Sequence, residues 1–278
     1  ILFGKRYAKE KFGVDVPTAW AADTFGLNAQ LPQIYKKSGY KWLAFRRGLG
    51  LSVGSRTSEF LWRGLDGTTI LSHWMPRGYR AGLELGKLDE AFDALNKVAL
   101  TSLVLIPSGS GSTIPQKETL DAVDNWNTIH ADSFMKIATP TEFFTDLERE
   151  GKRFEVVDGE LYDDHVSSVF PDVCSSRMWI MLGARKCERL ITTAEELATI
   201  AWLLGKQYPT DIMKRNWERL LFVAFHDVIA GCGIDEIYEE VKEHFDSMGQ
   251  ELGKLLAQCE EYIAGRQNIG SSRGLPKN

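Results

Sequence analysis

The sequence has few cysteines, little net charge and no long apolar run, and each shortage excludes a class of protein. The net charge of −5 over 278 residues is no electrostatic reason to expect nucleic acid or an anionic membrane as a partner. The sequence shows no signal-peptide pattern, and no apolar stretch reaches the ~18 residues that a membrane-spanning helix requires. The cysteines form no C-x-x-C pair, so we expect all four to be reduced core residues of a cytoplasmic protein. They are Cys174, Cys187, Cys232 and Cys259.

The first 150 residues alternate short apolar runs with helix-like stretches. This alternation is typical of an α/β fold with a parallel sheet or barrel, whose chemistry collects in loops at the carboxyl ends of the strands. The predicted strands are Val14–Trp20, Trp42–Phe45, Thr69–Trp74, Ser102–Pro107 and Phe134–Ala138. The predicted helices are Gln30–Lys37, Leu88–Val98, Glu118–Ile129 and Thr141–Glu150, and "ILFGKRYAKEKFG" at the start also has an amphipathic helical pattern.

After about residue 170 the pattern becomes helical. Apolar residues recur at helical spacing over 187–204, 217–228 and 234–259, which predicts a three-helix bundle. We therefore expect an α/β domain at 1–165, a helical domain at 170–265 and a linker at 266–278. Both ends have the composition of an interrupted chain, and we expect a fragment of a longer protein.

Two polar residues, His226 and Asp227, interrupt the apolar run "LLFVAFHDVIAG". We interpret this run as one helix that is buried on both sides, because it is apolar all round. Burying the two polar groups unpaired would cost a few kcal/mol, so we expect partners for them from the α/β domain. One alternative is a buried histidine oriented by the neighbouring aspartate. The other is a zinc site, since zinc accepts mixed nitrogen and oxygen ligands.

A lone carboxylate, Asp23, follows the first predicted strand in "AWAADTFG". It either caps the helix that follows or forms part of a site at the carboxyl end of the strand. The Gly/Ser-rich segment "IPSGSGSTIP" at 106–115 also follows a predicted strand. It matches neither the P-loop nor G-x-G-x-x-G, and we interpret it as a loop lining a site. The other histidines, His73, His130, His165 and His244, share no spacing and are interpreted as surface or packing residues.

Five segments, in order, resemble glycoside hydrolase family 38, the retaining α-mannosidases. "AWAADTFGLNAQLPQIYKKSGYKWLAFRRG" is similar to the region around the family's nucleophile, and "FLWRGLDGTTILSHWMPRGY" to its Trp-x-Gly-x-Asp-Gly segment. "ATPTEFFTDLE" is similar to its Thr-x-x-Glu-Tyr-Phe helix, and "SSRMWIMLGARKCERLITTAEEL" to the entry into its helical middle domain. "FHDVIAGCGIDEIYEEV" is similar to its His-Asp-x-x-x-Gly segment. The resemblance covers nearly the whole chain.

The resemblance implies a partial barrel of the family's seven-stranded β/α type, followed by the helical middle domain. It implies that Asp23 is the nucleophile and also a ligand of one zinc ion, with His226 as a second zinc ligand. Asp227 would accept a sugar hydroxyl, and Tyr79 and Arg47 would line the substrate site, with Arg46 as an alternative to Arg47. The implied substrate is a mannose-containing oligosaccharide, hydrolysed with retention.

Two departures from the family's pattern stand out. The family's other zinc ligands, a His-x-Asp pair, belong to a strand upstream of anything in this sequence. The family's general acid is an aspartate in a Gly-rich loop that ends in Pro, and here the matching position is Ser110 or Ser112. No carboxylate occurs between Asp93 and Glu118.

These observations leave three interpretations. The first is a zinc-dependent retaining α-mannosidase fragment, which we expect to be inactive by itself. The second is a catalytically impaired, carbohydrate-binding relative, which the missing acid favours. The third is a metal-dependent deacetylase, since related α/β barrels place Asp and His around zinc. The Phe25-Gly26 turn and the Gln30–Gln33 context disfavour this third interpretation.

Overall fold

The computed structural model describes residues 1–54 and 57–271, which divide into two compact units between Phe170 and Pro171. The first unit combines a sheet with helices, and the second is helical. The strands are β1 Thr18–Ala21, β2 Trp42–Phe45, β3 Glu59–Arg63, β4 Thr69–Trp74 and β5 Val156–Asp158. The helices of the first unit are α1 Leu2–Phe12, α2 Leu31–Lys37, α3 Leu51–Gly54, α4 Leu88–Asn96, α5 Thr119–Ile129 and α6 Pro140–Arg149. Those of the second are α7 Met178–Leu203, α8 Thr210–Val223, α9 His226–Ile229 and α10 Asp235–Ser271.

The five strands form one mixed sheet in the order β1-β2-β4-β3-β5. Strands β1, β2 and β4 run parallel, so their carboxyl ends lie at the same edge of the sheet. Strand β3 pairs antiparallel with β4 and parallel with β5. The expectation of a parallel sheet therefore holds for β1, β2 and β4 and is wrong for the pairing of β3 with β4. As expected, an α/β unit is followed by a helical unit.

Strand β3 is joined to β4 by a tight turn and was not among the predicted strands. Gly64 N donates to Thr68 O, and the Asp66 carboxylate accepts from the Thr68 backbone and hydroxyl. Gly67 adopts φ +83°, a conformation that glycine reaches without steric cost. An Asp-Gly pair between two apolar runs is a known hairpin signal, and it could have identified this strand.

Two predicted strands, 102–107 and 134–138, have no strand structure. In the first segment Ser102 N donates to the Glu150 carboxylate, and Pro107 O accepts from Gly82 N. In the second segment the Asn127 amide bonds both the N–H and the C=O of Met135. Side chains and loops thus satisfy backbone groups that a neighbouring strand would otherwise bond.

The sheet buries apolar side chains on both faces. One face carries a cluster that includes Leu43, Phe45, Phe60, Trp62 and Ile70. The other face packs on α6: Trp42, Ala44 and Leu71 contact Phe143, Phe144 and Leu147. Alternating residues of one strand face opposite sides, so β2 contributes to both clusters and reads as a continuous apolar run. Helix α6 starts at a capping box in which Thr139 Oγ1 accepts from Glu142 N and the Glu142 carboxylate accepts from Thr139 N.

In the second unit, α7, α8 and α10 pack on one another around a shared apolar core. The core includes Ile191, Ala194, Ala198, Leu220, Met248, Leu252 and Cys259. One polar residue, Asn216, is fully buried in α8, and its amide donates to Ile212 O and to the Glu251 carboxylate. These bonds satisfy the donor groups of a side chain that would otherwise destabilise the core.

The sequence reading placed the run 220–231 in one continuous helix, and this is wrong. Helix α8 ends at Val223, Phe225 is extended (φ −58°, ψ 137°), and His226 begins the separate four-residue helix α9. The residues predicted to face the bundle are Trp217, Leu220, Leu221, Ala224, Phe225 and Val228. This prediction is wrong for Leu221, Ala224 and Phe225, which are exposed, whereas Val223, predicted on the other side, is fully buried. Asp227 is exposed as well, with 66% of its side chain accessible, so the expected burial of this residue is not observed.

Three further predictions concern the linker, the cysteines and membrane-spanning helices. Helix α10 continues to Ser271, through the first half of the predicted linker, and residues 272–278 lie outside the described residues. All four cysteines are free, but only Cys187 and Cys259 are buried; Cys174 is half-buried and Cys232 is exposed, so the prediction of four core cysteines is wrong. Among the described helices, none is both long and apolar enough to cross a membrane.

Candidate active site

Asp23 lies two residues beyond the end of β1, at the carboxyl edge of the parallel strands. It does not cap the following helix, since α2 begins at Leu31 and its N-cap residue is Gln30. The turn after Asp23 is stabilised by the bond from Gly26 N to Thr24 O, and Gly26 adopts φ +85°. Of the two interpretations of Asp23, the one that places it at the end of a strand agrees with the structure.

Two arginines at the end of β2 approach Asp23. Because β1 and β2 pair in parallel with Ala21 opposite Phe45, the residues that follow each strand lie close together. Arg46 Nη1 is 3.8 Å and Arg47 Nη2 is 3.6 Å from Asp23 Oδ1. The sequence reading preferred Arg47 and kept Arg46 as an alternative, whereas both guanidinium groups neighbour the carboxylate. Two positive charges thus surround one negative charge on this side of the site.

The two arginines differ in how firmly they are held. Arg47 is 12% exposed, its Nη1 donates to Ser168 O at 2.7 Å, and its guanidinium lies over the rings of Phe25 and Phe170. Arg47 Nε is buried without a hydrogen-bond partner among the described residues. Arg46 is 37% exposed, and its guanidinium lies 5.9 Å from the centre of the Tyr79 ring. Arg46 is therefore the more accessible of the two cations.

Tyr79 contacts both Asp23 and Arg46. Burial raises the pKa of its phenol, and a hydrogen bond to Asp23 and the charge of that carboxylate raise it further. The phenol therefore remains a neutral hydrogen-bond donor to Asp23 at neutral pH. The preceding residue is Gly78 at φ +66°, where a Cβ atom would lie 3.0 Å from Arg46 Nε, so glycine leaves room for that guanidinium.

Segment 161–163 pairs with the turns that follow β1 and β2. Leu161 pairs with Leu27, and Asp163 pairs with Gly48, each as an isolated antiparallel bridge. A Cβ atom on Gly26 would collide with the Tyr162 ring, and one on Gly48 would collide with the Leu161 carbonyl. The glycines in Phe-Gly and Arg-Gly therefore allow segment 161–163 to approach. Sequence reasoning missed these contacts because they join residues more than 100 positions apart.

The Gly/Ser-rich loop lies beside Tyr79. Gly109 N donates to Tyr79 O at 3.0 Å, and Ser108 Oγ donates to Gly82 O at 3.1 Å. The hydroxyls of Ser110 and Ser112 lie 3.2 Å from each other. The loop thus neighbours the site, and the residues at its tip carry hydroxyls where the resemblance leads us to expect a carboxylic acid.

His226 and Asp227 lie in the second unit, at the start of α9. His226 Nε2 is 3.6 Å from Asp227 Oδ1, and the His226 ring meets the Phe225 ring edge-on with centroids 4.4 Å apart. The His226 side chain is 31% exposed. A fully buried histidine is therefore not what the structure has, and the zinc interpretation of this pair stays a prediction.

The residues present match zinc in chemistry but do not complete a zinc site. Carboxylate oxygen and imidazole nitrogen are zinc donors, and catalytic zinc is normally held by three protein ligands. Within the residues that the structure describes, no three His, Cys, Asp or Glu side chains are grouped so that they could hold a metal ion. His73, which is buried, is bonded to Glu59 instead. We therefore derive no chemical step that requires a metal.

Comparison with known families assigns each of the two units to a family model. Residues 1–164 match the model "Glycosyl hydrolases family 38 N-terminal domain", and residues 168–263 match "Alpha mannosidase middle domain". The chain thus belongs to the glycosyl hydrolases. More narrowly, the chain belongs to glycosyl hydrolase family 38. This membership supports the family interpretation over the deacetylase alternative.

The similar proteins are much longer than this chain. Human alpha-mannosidase 2C1 is 27% identical over 92% of the chain, which spans 25% of that protein. A putative mannosylglycerate hydrolase of Halalkalibacterium halodurans is 24% identical over 88% of the chain, and the chain spans 30% of that protein. A crystal structure of an alpha-mannosidase from Enterococcus faecalis V583 superposes on 93% of the chain with a TM-score of 0.86 at 22% identity, and the chain spans 31% of it. That likeness shows the fold alone.

Proposed function

We propose that the protein containing this chain hydrolyses α-mannosidic bonds with retention of configuration, with Asp23 as the nucleophile. The observation that carries this proposal is the placement of Asp23 at a strand end beside Arg46, Arg47 and Tyr79, inside the segment that matches the family. The substrate would be a mannose-containing glycan.

In this proposal a carboxylate oxygen of Asp23 forms a bond to the anomeric carbon while the glycosidic C–O bond breaks. Water then hydrolyses the glycosyl ester, and two inversions at one carbon retain the configuration. The Tyr79 phenol and the Arg47 guanidinium orient the carboxylate for attack, because both groups contact it from fixed backbone positions. Arg47 donates to Ser168 O and lies over two aromatic rings, and these contacts fix its side chain where it lines the site.

We further propose that Asp23 and His226 are two ligands of one zinc ion and that Asp227 accepts a sugar hydroxyl. The remaining zinc ligands would come from outside the described residues. When bound, zinc supplies a positive charge that polarises substrate oxygens. Support for this part comes from donor chemistry and from the family; Asp227 is exposed and so is accessible to a ligand.

The proposal is tested by trapping the intermediate. The protein that contains this chain is incubated with a fluorinated mannosyl fluoride, whose glycosyl ester hydrolyses slowly, and is then digested and analysed by mass spectrometry. We expect one hexosyl adduct, on the peptide that contains Asp23, and proton NMR of an aryl α-mannoside reaction should show α-mannose as the first product. Labelling of another carboxylate, or β-mannose as the first product, would contradict the assignment.

The second candidate is a carbohydrate-binding relative with little activity. The observation that favours it is the pair of hydroxyls at Ser110 and Ser112, where a general acid is expected. General acid catalysis typically contributes 10²–10⁴-fold to the rate. Binding of mannosides without turnover of even an activated aryl α-mannoside would support this candidate over the first.

A further inference from the structure

The loop beside the nucleophile has no group that can protonate a leaving alkoxide. The tip of this loop is Ser110-Gly111-Ser112, and the stretch between Asp93 and Glu118 contains neither Asp nor Glu. An alcohol leaving group departs as a strong base unless an acid donates a proton to it. A leaving group that is already a weak base departs without such help. The composition of the loop therefore restricts the leaving groups that this site can release at a useful rate.

Arg46 supplies an accessible positive charge beside Tyr79 and Asp23. Arg46 lies over the Tyr79 ring at 5.9 Å, and Tyr79 O accepts from Gly109 N of the loop. The guanidinium of Arg46 thus lies on one side of Tyr79, whose backbone is bonded to the loop. Its 3.8 Å separation from Asp23 is longer than a hydrogen bond, so Arg46 retains donor capacity for an anionic oxygen. Arg47, by contrast, is directed to Ser168 O and is largely buried.

We propose that the preferred substrate of this site is an α-mannosyl phosphate, and that Arg46 binds the departing phosphate. This inference rests on the proposed function, because it assigns the leaving group for the reaction in which Asp23 is the nucleophile. Guanidinium is the side chain best suited to phosphate, since its planar N–H groups match two phosphate oxygens. The hydroxyls of Ser110 and Ser112 make an exposed contact with each other on the loop that Gly109 N joins to Tyr79 O.

The reaction balances without an acid in the first step. An Asp23 carboxylate oxygen bonds to the anomeric carbon of the monoanionic phosphate ester, and the phosphate leaves as hydrogen phosphate, a weak base, with the electron pair of the broken C–O bond. Water then attacks the glycosyl ester, which releases mannose and restores the carboxylate. The proton lost by the water goes to the released phosphate or to solvent. The sum is mannosyl phosphate plus water giving mannose plus phosphate.

The experiment compares kcat/KM for three substrates in the protein that contains this chain and in its Arg46→Gln variant. The substrates are α-mannose 1-phosphate, a neutral aryl α-mannoside with a good leaving group, and a neutral α-mannobiose. We expect α-mannose 1-phosphate to exceed the mannobiose by at least tenfold. Arg46→Gln should lower kcat/KM for the phosphate substrate by at least about tenfold more than for the aryl substrate, since one charged hydrogen bond contributes ~1.5–3 kcal/mol. Arg77→Gln is the matched control, because Arg77 is exposed and its charge acts on Glu84 instead of Asp23.

Each outcome separates this inference from the proposed function. If the aryl mannoside and the mannobiose are hydrolysed as well as the phosphate substrate, or if Arg46→Gln affects all three substrates equally, the inference is wrong and the proposed function stands. A further substrate is a mannoside that bears a carboxylate beside the departing oxygen. If it is preferred over mannose 1-phosphate, the site selects a negative charge and not a weakly basic leaving group. That result would also overturn the inference. If none of the substrates is turned over, the proposed function itself fails.

Discussion

His73 Nδ1 lies 2.8 Å from Glu59 Oε1, and both side chains are buried on the face of the sheet that packs on α6. The two residues are paired across β3 and β4. Glu59 Oε1 also accepts from Ser58 Oγ, and Oε2 accepts from Leu100 N. Burial by itself would raise the pKa of Glu59, but the bonds and charge from His73, with the Leu100 and Ser58 bonds, hold it below its usual value. Through these hydrogen bonds the Glu59 carboxylate links β3 to β4 and to the segment that follows α4.

Glu59→Gln should destabilise the protein at neutral pH. The amide cannot accept from all three donors, and an unsatisfied buried donor costs ~1–3 kcal/mol. Because the folded-state pKa of Glu59 is lowered, its contribution to stability is complete above its unfolded pKa and is lost as the pH falls through the folded pKa. The difference in unfolding free energy between wild type and variant should therefore shrink in acid. Urea titrations at several pH values would measure it, and a difference independent of pH would contradict the assigned role.

Asp23→Asn should remove turnover of an aryl α-mannoside in the protein that contains this chain. An amide cannot form the glycosyl ester, and loss of a catalytic nucleophile costs ~10⁴-fold or more. The matched control is Asp93→Asn, an exposed aspartate of α4, which should retain wild-type kinetics. A near-normal kcat in Asp23→Asn would show that another group attacks.

Tyr79→Phe should lower kcat while leaving the fold unchanged. The ring remains under Arg46, but the hydrogen bond to Asp23 is lost. A bond to a charged group contributes ~1.5–3 kcal/mol, so the expected loss is about 10- to 100-fold. Circular dichroism and steady-state kinetics, with Tyr162→Phe as the comparison, would check this. Equal losses in both variants would indicate that the Tyr79 phenol has no special part in orienting Asp23.

His226→Ala should reduce bound zinc in the protein that contains this chain. If His226 is a ligand, its loss leaves one nitrogen donor fewer at the site, and metal content measured by atomic emission should fall together with activity. The control is His244→Ala, since His244 lies near Glu240 on α10. Unchanged zinc in His226→Ala would mean that the histidine is structural, as the alternative interpretation holds.

Gly183→Ala should destabilise the second unit even though alanine favours helices. A Cβ atom at Gly183 of α7 would collide with the ring of Phe245 on α10, and such overpacking costs ~1–3 kcal/mol. Gly253→Ala is the matched control: Gly253 is exposed in α10 and has open space around it. That change should stabilise the protein by up to ~1 kcal/mol. Thermal unfolding of both variants should show opposite shifts, and a stabilising Gly183→Ala would exclude tight packing of α7 on α10.

Local pattern and motif order were enough to predict much of this molecule from its sequence. Two strands, Trp42–Phe45 and Thr69–Trp74, were predicted with the bounds they have, since a buried strand reads as a continuous apolar run. The apolar periodicity of α7 and α10 could be recognised in the sequence because one face of each helix is buried over many turns. Family membership and the position of Asp23 at a strand end also came from the sequence.

The tertiary structure decided what depends on residues far apart in the chain. Apolar segments 102–107 and 134–138 are not strands, because the partners of their backbone groups are side chains and loops. The break at Phe225 could not be seen, because apolar residues lie on every side of a helix built from the run 220–231, and helical periodicity then has no contrast. That two arginines and a tyrosine meet Asp23 follows from the parallel register of β1, β2 and β4, which brings three strand ends to one edge. Strand β2 is buried on both faces, so it has no apolar–polar alternation that could specify this register.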